Sequence, residues 1–380
     1  MNNIKKCFIA FAILMIGLGA GDAMRGIFSV IFSEHFSLSS NELSQIISIS
    51  YVGNLIFLGF GGYIIDRINK KIAFQIFIII WLSAQTLFAF TDNYICILIG
   101  MFFIMGTSTL LNTTINIVTP SVFKTSPAFF VNCLFFVQGI GTSFSQSIIG
   151  NWAKNFDNWH SINWGLIIIG IISFIIVAFC DFGKNKSEKK IKFNIKKEVF
   201  TSKFLILTFM MGCYFIAEHG VLNWAVIYGT NGLNMDSGII SNYIAIFFGG
   251  ITIGRFIFGF IIDKLGIFKS LRYFSISAAI LFLIGVIGGK STLVIFSLSG
   301  LLFSIIYPTL VMSISKLWSK DIAMSISGLV ISIASIADIM FNYLFGNITS
   351  YLGYKVSFTI LPIFMCFYAV VMFLFSKKFE

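Results

Sequence analysis

Five ionisable side chains fall inside long apolar stretches of the sequence: Asp22, Arg25, Glu218, Arg255 and Asp338. A charge at the centre of an isolated membrane helix costs at least about 2.5–3.5 kcal/mol, so each is expected to face a cavity or a partner. The carboxyls of Asp22, Glu218 and Asp338 are candidates for taking up and releasing a proton within the membrane. Asp22 and Arg25 stand three apart, where they can pair on one helix face, either as a structural ion pair or around a proton site. Arg25 and Arg255 read as structural charges. Arg255 lies near the end of its stretch, where it braces helices or snorkels towards the surface.

Uncharged polar residues accompany these charges at helical spacing. Glu218 is followed by His219, Asn223 and Trp224, with His219 and Asn223 four apart on one face. A carboxylate, hydrogen-bonding side chains and an indole suit a polar ligand with an apolar face, such as a sugar ring. A satisfied helix–helix contact is the plainer alternative. Asp338 and Asn342 share the four-residue spacing, as do Asn112 and Asn116, and a further stretch carries Asn132, Gln138 and Gln146. Amides both donate to and accept from hydroxyls, which favours a neutral polyhydroxylated solute, although amides also join membrane helices to one another. The six cysteines (Cys7, Cys96, Cys133, Cys180, Cys213 and Cys366) are widely spaced, form no C-x-x-C and have no histidine cluster beside them. They read as apolar packing, with neither a metal nor a disulfide framework expected.

The elements that position these residues follow from composition. Of 380 residues, 57% are apolar and 11% charged, with a mean hydropathy of +0.94. A soluble domain of this length needs more charge on its surface. Spanning a bilayer takes about 20 apolar residues. Twelve such segments are expected, at 7–32, 43–65, 72–91, 94–118, 128–150, 161–181, 202–228, 239–262, 270–288, 292–315, 322–348 and 355–376. The stretch after Lys5 and Lys6 imitates a signal peptide but reads as the first span, because its apolar character resumes at Gly26–Phe32. No strand-period alternation supports a β-barrel.

The net charge of +11 is placed for a membrane and not for nucleic acid. With the N-terminus in the cytoplasm, 21 of the 26 Lys and Arg residues fall on the cytoplasmic side and three (Lys154, Lys290 and Lys355) outside. That asymmetry sets both termini in the cytoplasm of a multi-pass protein of the plasma (bacterial inner) membrane. The lysine-rich stretch 183–203 reads as a cytoplasmic linker resting on anionic lipid headgroups, between six-helix bundles at 1–182 and 204–380.

A repeat supports the halving. Gly62-Tyr-Ile-Ile-Asp66-Arg67-Ile-Asn-Lys70-Lys71 returns as Gly259-Phe-Ile-Ile-Asp263-Lys264-Leu-Gly-Ile-Phe-Lys269, an offset of 197 residues from Gly62 to Gly259. Parallel repeats of this kind describe a carrier with its substrate site at the midplane. The glycines permit close helix approach, and the basic residues fix the loop on the cytoplasmic side. Asp66 and Asp263 can meet a helix N-terminus or a basic residue and latch one conformation.

This doubled loop resembles the signature of the major facilitator superfamily, and four segments are similar to its fucose/glucose–proton symporter branch. They are Asn112-Thr-Thr-Ile-Asn116, Asn132 through Gly139-Ile-Gly141 to Gln146-Ser147, Glu218 with Asn223 and Trp224, and Gly249-Gly250-Ile-Thr-Ile-Gly254-Arg255 to Gly259. Asp22 falls where the branch's proton-linked aspartate would sit. The resemblance implies an all-α membrane fold of 12 transmembrane helices in two pseudo-symmetric bundles, and sugar transport by proton symport through alternating access. One departure stands out: the branch's carboxylate in the fourth helix is Asn112 here, and Asn takes up no proton at physiological pH. Either Asp22 carries the coupling alone, or Glu218 or Asp338 replaces the lost acid, or the carrier is not proton-driven.

The expected partners are a small solute and protons, with no cofactor and a monomeric carrier. Proton-driven efflux of drugs or metabolites keeps the same fold with reversed direction. A polytopic membrane enzyme is disfavoured by short outer loops without a paired-acid motif, and a channel by the absence of charged rings or a repeated filter.

Overall fold

Short polar residues mark where the helices start. Ser39 closes a capping box with Glu42, in which the Ser39 N–H donates to Glu42 Oε2 at 2.9 Å and the Glu42 N–H to Ser39 Oγ at 3.3 Å. Asn69, Asn93 and Asp236 accept first-turn amides in the same way, and Asn155 forms a second capping box with Asn158. The computed structural model of the chain describes residues 3–183 and 201–376, and within them omits the side chains of Gly62, Tyr63, Asp66, Ala128, Lys320, Asp321 and Met324. Most of the expected lysine-rich linker therefore lies outside the described residues.

The chain separates into two compact units, Met1–Glu188 and Lys189–Glu380. Among the described residues the first holds α1 (Asn3–Ile27), α2 (Ser29–His35), α3 (Ser40–Arg67), α4 (Lys70–Phe90), α5 (Tyr94–Val122), α6 (Pro127–Trp152) and α7 (Phe156–Ala178). The second holds α8 (Ser202–Ile227), α9 (Ser237–Leu265), α10 (Ile267–Ile287), α11 (Leu293–Phe303), α12 (Ile306–Leu317), α13 (Lys320–Phe358) and α14 (Ile360–Ser376). Among the described residues ten helical stretches are long and apolar enough to cross a membrane; the amide-rich α6 and the shorter α14 stand where the other two of the twelve expected spans fall. The first span is broken after Ile27 into α1 and α2, and the tenth at Ser304 into α11 and α12. The eleventh is longer than hydropathy suggests: α13 runs from Lys320 to a kink at Gly353, whose φ of 71° lies in the left-handed region open to glycine.

Each unit has the same internal packing. In the first, the principal helix pairs are α3–α5, α1–α6, α4–α5, α4–α7 and α1–α7. In the second they are α9–α11, α8–α13, α10–α11, α10–α14 and α8–α14. Each pair in one list is the counterpart, six spans on, of a pair in the other. Glycines set the closest contacts. A Cβ on Gly141 of α6 would meet the Ile16 carbonyl of α1 at 2.5 Å, and one on Gly254 of α9 would meet Ser304 Oγ at 2.5 Å. In a membrane, helices associate through such close packing, because lipid tails are as apolar as leucine.

The repeated motif does not form the loop the sequence suggests. Helix α3 stays helical to Arg67 and α9 to Leu265, so Gly62–Arg67 and Gly259–Lys264 are the last turns of helices, with two connecting residues in the first copy and one in the second.

Candidate functional site

In the second unit, α8 and α13 hold a continuous hydrogen-bonded cluster. His219 Nδ1 lies 2.6 Å from Asp338 Oδ2, with the Asp338 side chain 2% exposed and that of His219 27%. Asn342 Nδ2, one turn along α13, donates to Asp338 Oδ1 at 3.0 Å and to the Asp338 carbonyl at 2.9 Å. Asn342 Oδ1 in turn accepts from Trp224 Nε1 at 2.9 Å and from Asn223 Nδ2 at 3.4 Å. The four-residue spacings on α8 and α13 bring these side chains to one interface, because residues i and i+4 share a helix face. A buried carboxylate is tolerated here because both of its oxygens are engaged and one meets a titratable ring.

Aromatic groups border this cluster. Phe215 stacks on His219 with ring centroids 5.1 Å apart, and Trp224 lies 4.7 Å from Phe345. Tyr214 and Tyr307 stack at 6.2 Å. Glu218 of α8 and Arg255 of α9 both sit close enough to these two phenols to act on them electrostatically. Arg255 is exposed on its unit and Glu218 half-buried.

The first unit carries a polar track through α6, α1, α3 and α5. Gln138 Nε2 donates to Asp22 Oδ2 at 3.4 Å. One turn further along α1, Arg25 is 2% exposed, donates from Nη1 to Ser50 Oγ at 3.0 Å and lies 4.8 Å above the Tyr51 ring. Arg25 thus makes its contacts on α3, whereas Asp22 meets α6, an arrangement the three-residue spacing did not disclose. Thr109 Oγ1 donates to Asn54 Oδ1 at 2.6 Å, linking α5 to α3. Asn112, three residues on from Thr109, is half-buried, and its Oδ1 has no hydrogen-bond partner.

The remaining candidates lie apart from this track. Gln146 is fully buried with both amide atoms unpartnered, while Asn116 and Asn132 are exposed. Of the latch residues, Arg67, Asp263 and Lys264 are exposed, Lys70 and Gly259 are half-buried, and Lys264 Nζ lies 5.8 Å from the Phe260 ring. The Gly62 and Asp66 side chains lie outside the described residues.

Sequence reasoning missed Ser50, Tyr51, Asn54, Thr109, Tyr214 and Tyr307. Asn54 and Tyr214 carried a usable signal: one interrupts an apolar run, and the other stands four residues before Glu218. The 197-residue offset carried another, since it maps Asp22 onto His219. Both residues lie on the first span of their unit and are bonded to its fifth. All six cysteines are free, and Cys7 and Cys180, 173 positions apart in sequence, lie close enough to act on each other electrostatically.

The fold is shared with solved structures of transporters. A bacterial homologue of the human lysosomal transporter Spinster, inward-facing and unoccupied, superposes with a TM-score of 0.79 at 12% identity, covering 100% of this chain and 98% of that chain. The nucleoside transporter NupG superposes with a TM-score of 0.75 at 14% identity, and the E. coli fucose:proton symporter FucP with 0.68 at 18%, each covering 100% of both chains. No curated protein sequence matches the chain. The family model described as Major Facilitator Superfamily matches residues 8–341, and with two like-packed helical units the chain belongs to that superfamily, a multi-pass membrane transporter and not an enzyme.

Proposed function

We propose that this carrier moves a small neutral polyhydroxylated solute, a sugar or a close relative, by proton-coupled symport through alternating access. The observation that carries the reading is the buried Asp338 carboxylate bonded at 2.6 Å to the His219 ring. A proton arriving at this pair neutralises the carboxylate or charges the ring. Either event changes the hydrogen bonds offered to Asn342, and through it those to Asn223 and Trp224. Solute held by these groups would therefore bind with an affinity that depends on the proton, and by linkage the proton would bind with an affinity that depends on the solute.

Asp338 takes the coupling role that Asn112 cannot fill, and Glu218, close to Tyr214 and Tyr307, is the other acid set within an apolar stretch of the unit. In the first unit, Asp22 with Gln138, and Asn112 with its unpartnered oxygen, supply acceptors and donors for hydroxyl groups. The N-in, C-in orientation, a plasma (bacterial inner) membrane location, the 183–203 linker between six-helix halves and a monomeric carrier belong to the same proposal. The orientation and the linker are supported by the basic-residue asymmetry of the sequence.

The test is uptake of labelled hexoses by whole cells and inverted vesicles under an imposed pH gradient. Accumulation that follows the gradient supports symport. Uptake of every sugar indifferent to it refutes the proton, and no uptake of any sugar refutes the substrate class.

A further inference from the structure

The start of α1 and the exit of α7 are clasped together at one end of the first unit. Asn3 Nδ2 donates to the Asp181 carbonyl and the Asp181 N–H returns a bond to Asn3 Oδ1, both at 2.8 Å. This reciprocal pair holds Cys7 beside Cys180, close enough for each sulfur to act on the other electrostatically. The Cys7 Sγ also lies 3.8 Å from Asn3 Oδ1 and 3.9 Å from the Asp181 carbonyl, and the Cys180 Sγ 3.4 Å from the Ile176 carbonyl.

Lysines surround the pair. Lys71 Nζ donates to the Ala178 carbonyl at 2.6 Å, two residues before Cys180, and Lys6 precedes Cys7. Cys180, beyond the end of α7, is held below the ordinary thiol range chiefly by its interaction with Cys7, against the opposing effect of burial, with the charges of Lys71 and Lys6 adding to the lowering. Both cysteines are buried, but Asp181 immediately beyond Cys180 is exposed, so the pair lies at the edge of the bundle. A thiol held below its ordinary range by a second thiol beside it and by neighbouring lysines is the arrangement of a redox-sensitive pair.

We propose that Cys7 and Cys180 are a modification site for hydroperoxides, converted to a disulfide that ties the start of α1 to the exit of α7. The Cys180 thiolate attacks the peroxide O–O bond, which breaks with both of its electrons leaving on the departing oxygen. That oxygen takes up a proton and leaves as water or an alcohol, and Cys180 becomes a sulfenic acid. Cys7 sulfur then attacks the sulfenic sulfur, losing its thiol proton as hydroxide departs, so that a second water is released. Two thiols are oxidised by two electrons and one peroxide is reduced.

The experiment treats the full-length protein, in membranes and in detergent, with hydrogen peroxide. Free thiols are then blocked, and the protein is digested and analysed by mass spectrometry with and without dithiothreitol. The expected result is one reducible link between the peptides containing Cys7 and Cys180, with Cys96, Cys133, Cys213 and Cys366 still open to alkylation. Cys180→Ser should abolish the link and leave Cys7 reduced, while serine keeps the hydrogen bonds and hence the fold. The proposal is overturned if folded wild-type protein forms no link. It is equally overturned if Cys180 proceeds to sulfinic acid with Cys7 still free, or if other cysteines cross-link at the same peroxide concentration.

Discussion

Replacing Asp338 by asparagine keeps the volume of the side chain and removes its ability to exchange a proton. In the wild type, Oδ2 meets His219 Nδ1 at 2.6 Å and Oδ1 accepts from Asn342 Nδ2 at 3.0 Å, so both oxygens are committed. Asparagine offers one acceptor and one donor group. Both contacts therefore lose their charge-assisted character, and one meets a donor where it met an acceptor, at a cost of about 1.5–3 kcal/mol. At 1.4 kcal/mol per factor of ten, that is roughly 10–150-fold in any equilibrium the pair controls. The assay compares two modes of the purified variant in proteoliposomes: uphill uptake driven by a pH gradient, and exchange of labelled for unlabelled solute without one. Asp338→Asn is expected to reduce uphill accumulation by at least about tenfold while exchange continues, because exchange needs solute binding and reorientation but no net proton movement. A variant that accumulates solute as fully as the wild type would refute the role given to Asp338. One that loses both modes while still folded would make Asp338 a binding group and not a coupling one.

Trp224→Phe removes the indole donor to Asn342, worth about 1 kcal/mol, and should weaken solute binding several-fold in a titration while leaving uphill transport coupled. Gly19→Ala drives a Cβ into the Gln138 carbonyl of α6 and should cost about 1–3 kcal/mol, read as a lower Tm in detergent; Gly21→Ala, where nothing lies within 4 Å, should be neutral. Arg25→Lys and Tyr51→Leu each break the same contact of a buried guanidinium with a ring. Each should destabilise the fold by about 1–2 kcal/mol, with the double variant less than additive.

Fold class and span count were legible in the sequence because lipid demands long apolar runs, and amphipathic ambiguity does not arise when whole helices are apolar. The repeat at Gly62 and Gly259 pointed to two similar units, and the matching helix pairs show them. Helix ends were less legible. Hydropathy stops where charge begins, whereas α3 continues two residues and α9 three residues past that point, through Asp and Arg or Lys, before the next helix starts. The break at Ser304 was hidden too, since apolar residues on both sides mask a change in direction, whereas the kink at Gly353 falls in the expected gap between the spans 322–348 and 355–376.

Single polar residues were easier to find than their partners. Asp338 and His219 were each visible as costly groups in an apolar setting, but nothing in their 119-residue separation announces a bond. Arg25 was misleading for a related reason. The nearest acid in sequence, Asp22, is three residues away, yet its contacts lie across α3 at Ser50 and Tyr51. Cys7 and Cys180 show the same limit: spacing along the chain carries no information about pairs that only tertiary packing brings together.

The most direct test of the central claim is whether solute entry carries protons. Lightly buffered vesicles containing the purified carrier would be presented with a panel of neutral sugars while the external pH is recorded. The account predicts that at least one sugar alkalinises the medium, that a protonophore abolishes the signal, and that Asp338→Asn gives none. Sugar entry without any pH change in the wild type would contradict it.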